Sequence, residues 1–381
     1  MAKRGGGFIG QDGINAPDPA TGVTGTAGDE QVDVSFTSPS DVGGAAVTEY
    51  RVTDSTGAHS ATGSASPITV TGLTNGTSYT FNVWAINPFG WSAPSGASSG
   101  VTPEQLQRGL FGGGRQSPTN TISYVTIPTA GNAIDFGDLS NLSYSLAACS
   151  SATRGVFGGG YYNTATIEYV TIATTGDSTD FGDLTAGRDY LAACSSSTRG
   201  VFAGDSTIDY ITIASTGNAT DFGDLNVTAF GLTGCSSPTR GLYSGGSPLT
   251  NTIQYITIAS TGNALDFGDL SVALMRAGSC SSSTRGLVAG GTTSSGEINN
   301  IQYVTIASKG NALDFGDLTV ARRDLAACSS STRGVFGGGF STTATIDYVA
   351  IASTGNASDF GDLAQAQREL AACSSAHGGL S

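Results

Sequence analysis

One phrase recurs six times along this chain, and its spacing restricts the fold more than any other feature does. It reads LAACSSSTRG or a close variant at 146–155, 191–200, 232–241, 277–286, 325–334 and 370–378, the last copy with His377 and no arginine. Between the copies stand six instances of DFGDL, at 135–139, 180–184, 221–225, 266–270, 314–318 and 359–363. The interval is 41 to 48 residues, which falls among the periods of four-stranded propeller blades rather than of helical solenoids. Chemistry particular to this chain has to be sought where the copies differ.

From Gln105 onward each copy reads as four strands: LAACSS, then RGVFGGG or RGLFGGG, then TIDYVTIA with alternating apolar residues, then DFGDL. The first strand is built of small residues and suits a crowded innermost position. Charged residues make up only 12% of the chain, and the net charge is −14, with twelve of the thirty acids in the DFGDL motif. Nucleic acid is repelled by such a surface, and the positive footprint its binding needs is missing. No run of about eighteen apolar residues is present, so no membrane insertion is expected. The start MAKRGGGFIGQDG has basic residues but no apolar core, which speaks against a secretory signal.

Six cysteines, Cys149, Cys194, Cys235, Cys280, Cys328 and Cys373, occupy one register position each. Equivalent strands of neighbouring sheets lie about 10 Å apart, beyond the roughly 7 Å that a disulfide spans between Cα atoms. They are expected to be small buried residues in a chain that folds in a reducing compartment.

Residues 1–16 form a Gly-rich arm, and the text changes between 17 and 104. Val32, Val34 and Phe36 alternate as in a half-buried strand, as do Tyr50 and Val52, then Tyr79, Phe81, Val83 and Ala85. The runs SFTSPSDVGGAAVTEYRV, ITVTGLTNGTSYTFNVWAINPFGWSAPS and VTP together resemble a fibronectin type III domain. Gly72-Leu73, Gly76 and Tyr79 resemble its tyrosine corner. Phe36 stands where that family usually has tryptophan, and no RGD tripeptide is present. Residues 105–381 resemble a Kelch propeller over 108–381, through paired glycines after the second strand and a bulky aromatic in the fourth. Here the aromatic is Phe136, Phe181, Phe222, Phe267, Phe315 or Phe360 in place of tryptophan. The resemblances imply an all-β chain: an arm, a fibronectin type III β-sandwich, and a six-bladed Kelch-like β-propeller. The first repeat opens at Arg108 with no LAACSS before it, so the carboxyl-terminal LAACSS is expected to complete the first blade and leave no open edge.

Catalytic chemistry finds little footing. The DFGDL aspartates repeat identically and read as turn formers and arginine partners. Glu168, Asp209 and Asp347 on the third strand, and Asp189, Asp324 and Glu369 before the first, are also in register, while Asp177, Asp205 and Glu297 stand outside it. His59 and His377 fall in different domains, so neither a zinc site nor a Ser-His-Asp relay is assembled. The glycine runs precede strands, not helices, and imply no phosphate loop. Acids are too sparse for a calcium loop. No catalytic residue, metal or cofactor is expected. The repeated Arg108, Arg154, Arg199, Arg240, Arg285 and Arg333 read as braces between blades, paired with aspartates.

Under Kelch order, the loops from fourth to first strand and from second to third open on one face, and all the variable text lies there. Loops on a rigid scaffold are where binding resides. Tyr144, Tyr161, Tyr162, Tyr190, Phe230 and Phe340, with Arg188, Arg276, Arg322 and Arg323, are the candidate ligand-binding residues, since aromatics stack on sugars and arginine donates forked hydrogen bonds. Phe8 and Ile9 of the arm, and Trp84 and Trp91 of the sandwich, are candidate interface residues. A sandwich of extracellular type with neither signal nor disulfides resembles phage virion structural proteins, which fold in the host cytoplasm and leave by lysis. That resemblance implies a tail-fibre or capsid-decoration subunit, a homo-oligomer, holding other virion proteins through its arm and sandwich and contacting host surface glycan. A polysaccharide depolymerase and an intracellular Kelch-type scaffold are the alternative readings.

Overall fold

The computed structural model describes residues 14–104, 107–116, 119–340 and 344–380. The chain divides into two compact units, 1–106 and 107–381, and the described residues are all-β.

In the first unit, Gln31–Thr37 lies between Thr21–Gly28 and Ile68–Thr71, and a second sheet runs Ser60–Gly63, Glu49–Asp54, Phe81–Asn87, Gly90–Trp91. Alternation puts Val32, Val34, Phe36, Tyr50, Val52, Phe81, Val83 and Ala85 into one core. The tyrosine corner is present: the Tyr79 hydroxyl accepts the Thr74 N–H at 3.1 Å. The text after Trp91 contains Pro94, which has no N–H to give a ladder, and it pairs by other means. Ser92, Ser95 and Ser98 are buried; each donates its N–H to the carbonyl of Ala85, Val83 or Phe81 and accepts that residue's N–H on its Oγ. A serine every third residue thus covers the edge strand without forming a strand.

Among the described residues the second unit holds six larger sheets and a two-stranded one, Thr292–Thr293 with Gly296–Glu297. The first is Ala371–Ser374, Arg108–Gly112, Thr121–Thr126, Ile134–Asp138, so the carboxyl-terminal strand pairs with the strand that opens the unit, Cys373 opposite Leu110. The second (Ala147–Ser150, Arg154–Gly158, Thr166–Thr171, Thr179–Asp183) and the sixth (Ala326–Ser329, Arg333–Gly337, Thr345–Ala350, Ser358–Asp362) follow the four-strand text closely. In the third sheet the second and third strands run on as Arg199–Thr212, because only a tight turn through Asp205, at φ 54°, separates them. The fourth opens at Thr233–Ser236 and the fifth at Gly278–Ser281.

Hydrogen bonds link these sheets in sequence and return to the start. The Oγ atoms of Ser150, Ser195, Ser236, Ser281, Ser329 and Ser374 donate to the carbonyls of Ser374, Ser150, Ser195, Ser236, Ser281 and Ser329, at 2.6–2.9 Å. Each of these hydroxyls also accepts the N–H of the serine before it in the cycle.

The arginines correct the sequence reading. They do brace neighbouring sheets, but through carbonyls and not through aspartates. Arg108 lies 4.2 Å from the Tyr124 ring of its own sheet and donates to the Ile172 carbonyl of the next at 2.9 Å; Arg333 of the sixth sheet does the same to Ile127 of the first. The tyrosine in turn meets the buried Phe136 edge-on at 6.0 Å. A carbonyl row ends beside each guanidinium, whereas the DFGDL carboxylates face solvent, so geometry outweighs charge sign. The glycine of that motif serves a close approach: a Cβ on Gly137 would lie 2.3 Å from the Gly176 carbonyl oxygen of the next sheet. The cysteines are free and buried, each over a glycine of the adjacent sheet, with a Cβ on Gly200 coming 2.5 Å from Cys149 Sγ. Burial pushes the thiols of Cys194, Cys235 and Cys373 up to about 12.

Deletion of residues 370–381 removes one strand of the first sheet and two links of the serine cycle. We expect the melting transition of the whole second unit to fall by well over 5 °C, since a kcal/mol moves a domain of this size by roughly 2–4 °C. An unchanged melting temperature in the truncated chain contradicts the closure.

Candidate functional site

The first strands enclose an axial cavity of about 120 Å³, walled by their alanines and leucines. Its mouth is formed by one residue from each repeat, the one that precedes the first strand: Ser145, Tyr190, Gly231, Arg276, Asp324 and Glu369. All six have positive φ, between 50° and 64°. Left-handed backbone at non-glycine residues costs about 1–2 kcal/mol each, and this strain gathers at functional positions. Here it is over-determined by a second cycle. The N–H of Tyr190 donates to Ser145 O, Gly231 to Tyr190, Arg276 to Gly231, Asp324 to Arg276, Glu369 to Asp324 and Ser145 to Glu369, all at 2.8–2.9 Å. The backbone of the mouth is uniform while its residues are of six different types, five with side chains and one glycine.

Those side chains form one network. Glu369 accepts from Ser145 Oγ at 2.6 Å and from the Tyr190 hydroxyl at 3.1 Å, and pairs with Arg115 at 2.9 Å. Arg276 lies 4.6 Å from the Tyr190 ring and 3.6 Å from Asp324. Arg323 reaches Asp324 at 3.2 Å and Glu297 at 3.0 Å, and packs on Phe340 at 4.0 Å, with Arg368 4.7 Å from the same ring. Burial, foremost, holds the Asp324 carboxyl above its ordinary value; Glu369 adds to this, and Arg276 and Arg323 pull the other way. Burial likewise raises the Tyr190 hydroxyl, and the hydrogen bond to Glu369 raises Arg115. Hydroxyls, carboxylates, guanidinium forks and aromatic faces around a small apolar throat suit a polar ligand with an apolar substituent.

Further along the first strands, between their cysteines and serines, lies a second cavity of about 50 Å³, which His377 lines. His377 Nε2 donates to the Ser150 carbonyl at 3.1 Å, its Nδ1 accepts the Gly379 N–H at 3.0 Å, and the Gly378 N–H donates to Ser281 O at 2.9 Å. A Cβ on Gly378 would fall 2.2 Å from the Ser282 carbonyl oxygen, so only glycine passes there.

Of the residues expected from sequence, Tyr190, Arg276 and Arg323 belong to the mouth network, and Phe340 and Phe230 flank it, the latter 6.4 Å from Tyr190. Tyr144 is buried and stacks on Tyr161 at 4.2 Å; Tyr161 meets Tyr162, which is 84% exposed. Arg188 and Arg322 are corrected: both are buried and ion-paired, with Asp209 and Asp347, and present nothing to a ligand. Their loops are variable, but the loop turns these side chains inward against a third strand. On the sandwich, Trp91 is exposed with Arg51 5.8 Å from its ring, and Trp84 is half-buried opposite Arg51. Exposed Phe89 lies close by and carried no signal in the alternation. Phe8 and Ile9 lie outside the described residues. Ser145, Asp324 and Glu369, with Arg115, Glu297 and Arg368, were missing from the expected set; for the first three the signal was the single unlike residue before each near-constant phrase.

The fibronectin type III family model matches residues 17–101, and a domain of that family occupies this segment. No curated protein matches the chain.

Burial lowers His377 from 6.5 to about 4. Its Nδ1 is an acceptor, so the folded chain holds it neutral. Its contribution is full above pH 6.5, where the unfolded chain is also neutral, and is lost as pH falls toward 4, because only the unfolded chain takes the proton. Melting temperatures at pH 7 and 4.5 are expected to differ less in His377→Gln than in the parent; equal differences refute the assignment.

Proposed function

We propose that residues 107–381 are a six-bladed, Kelch-like propeller closed by the carboxyl-terminal strand, and that the chain is a non-enzymatic display protein. In this reading the fibronectin type III domain is a spacer, and the axial mouth binds a surface glycan. The observation that carries the reading is the contrast between the two ends of the axial cavity. One holds the His377-to-Leu380 segment, where the sixth copy departs from the constant phrase, bonded to the near-constant serines. The other is open and ringed by five unlike side chains and a glycine on one shared backbone geometry. Aromatic rings beside paired acids and arginines are the donors, acceptors and stacking faces that sugars require.

The carrier best suited to such a chain is a phage virion, with the protein as a tail-fibre or capsid-decoration subunit. A fibronectin type III domain, six free thiols and ring closure fit a particle assembled in a reducing cytoplasm and released by lysis. The arm with Phe8 and Ile9, and the sandwich with Trp84 and Trp91, are then the contacts to other virion proteins or to further copies of the chain. A depolymerase is the second reading, favoured by Asp324 and Glu369 being neighbours in the mouth cycle. Both carboxylates are engaged by arginines, and Glu369 also by hydroxyls, which leaves neither poised as an acid or base.

Screening the full chain against immobilised surface polysaccharides should give binding that Tyr190→Ala weakens about tenfold or more, the scale of one lost stacking face, with no new reducing ends. Release of reducing ends would move the assignment to the depolymerase. Absence of the chain from purified particles by mass spectrometry would remove the virion.

A further inference from the structure

The third strand of each sheet carries one inward residue that meets the loop coming from the sheet before it. The six are Ser123, Glu168, Asp209, Gln254, Gln302 and Asp347. The loop residues in matching register are Gln367, Ser143, Arg188, Ala229, Leu274 and Arg322. Charge follows a rule at five of these places. Asp209 and Asp347 are met by Arg188 and Arg322. Gln254 and Gln302, facing Ala229 and Leu274, bond loop backbone instead, Gln254 to Val227 and Gln302 to Ser271. Ser123 and Gln367 line one small cavity as a neutral pair.

The second sheet breaks the rule. Glu168 is a carboxylate at 8% exposure, yet Ser143 stands where the arginine belongs. Its holding by the loop is otherwise the same. The Thr185 N–H and hydroxyl donate to Asp209, those of Thr319 donate to Asp347, and those of Ser140 donate to Glu168. Ser178 Oγ adds a donor at 3.0 Å. Glu168 makes no ion pair among the described residues. Where Arg188 and Arg322 fill the corresponding space with their own side chains, a cavity of about 420 Å³ opens here. It is lined by Ser143 and Glu168, by Leu139, Leu142 and Phe157, and by Tyr161. Tyr162 also borders it and is almost fully exposed.

A buried carboxylate without a cation is costly, and this chain twice resolves that cost with a guanidinium. We propose that the cavity at Glu168 is a binding site for an external alkylguanidinium group, which takes the place of the arginine that Ser143 lacks. The guanidinium pairs with Glu168 as Arg322 pairs with Asp347. Its methylene stem lies along Leu139, Leu142 and Phe157, and its plane is offered the exposed ring of Tyr162, which Tyr161 backs. The site is separate from the axial mouth and does not depend on the glycan reading. An arginine side chain of a partner and a free small guanidine share this chemistry.

The test is calorimetric titration of the full chain with ethylguanidinium, with the blocked tripeptide acetyl-Gly-Arg-Gly-amide, and with neutral propylurea. Saturable binding of a guanidinium probe, with none of propylurea, is expected. Binding of the tripeptide alone identifies a protein partner as the source, and binding of both leaves the shared chemistry as the determinant. Glu168→Gln should weaken the binding about tenfold or more, as loss of a buried charge partner does. Ser143→Arg should abolish it and raise the melting temperature, because the chain then supplies its own guanidinium. The proposal is overturned if neither guanidinium probe binds. It is also overturned if Ser143→Arg folds without gain in stability and still binds ethylguanidinium as the parent does.

Discussion

The serine cycle is the interaction on which the second unit depends. Each of the six hydroxyls accepts one backbone N–H and donates to one backbone carbonyl, and so does the work of a ladder bond between strands too far apart to pair directly. Each such bond contributes about 1 kcal/mol net, a modest amount, but the alternative is costly. An innermost strand with buried, unsatisfied amides loses several times that amount. Ser374 stands between Ser329 and Ser150, a residue 224 positions away, and no local sequence preference holds it there. Closure is thus a requirement of hydrogen-bond satisfaction and not an ornament of symmetry.

Closure also explains how the chain divides constant from variable text. Serine, cysteine over glycine, arginine on tyrosine and the glycine approach at Gly137 all require one residue type at one place, because the neighbouring sheet leaves no room for another. The residue before each first strand is free of that demand. Its backbone closes the mouth cycle whatever side chain it bears. Five different side chains and a glycine can therefore occupy the mouth without disturbing the frame, while His377 lines the second cavity among the cysteines and serines.

Much of the frame was legible in the sequence. The alternation at Val32, Val34 and Phe36, and the glycine spacing before Tyr79, specify local geometry that the sandwich retains. The register of LAACSS with Arg108 foretold the pairing of Cys373 with Leu110. Three things were not legible, each for a reason of distance or chemistry. The serines read only as small residues of a crowded innermost strand, since nothing in their text tells that Oγ replaces a ladder partner. Arg188 and Arg322 read as exposed because their acids lie 21 and 25 residues further on, in the next sheet. Tyr190 and Arg276 of the mouth were marked by their own chemistry, but Ser145, Asp324 and Glu369 escaped because left-handed backbone leaves no mark on non-glycine text. The odd pairing of Glu168 with Ser143 becomes visible only when loop and strand registers are laid side by side, which needs the contact map and not the repeat alone.

The central proposal is that the serine cycle holds the six larger sheets together as one unit. Native-state hydrogen exchange at the amides of Ser150, Ser195, Ser236, Ser281, Ser329 and Ser374 measures this directly. The account predicts that all six exchange with one common free energy of opening, equal to that of global unfolding of the second unit. Exchange that is graded from repeat to repeat, with Ser374 and Ser150 opening first and the others independently, would contradict it.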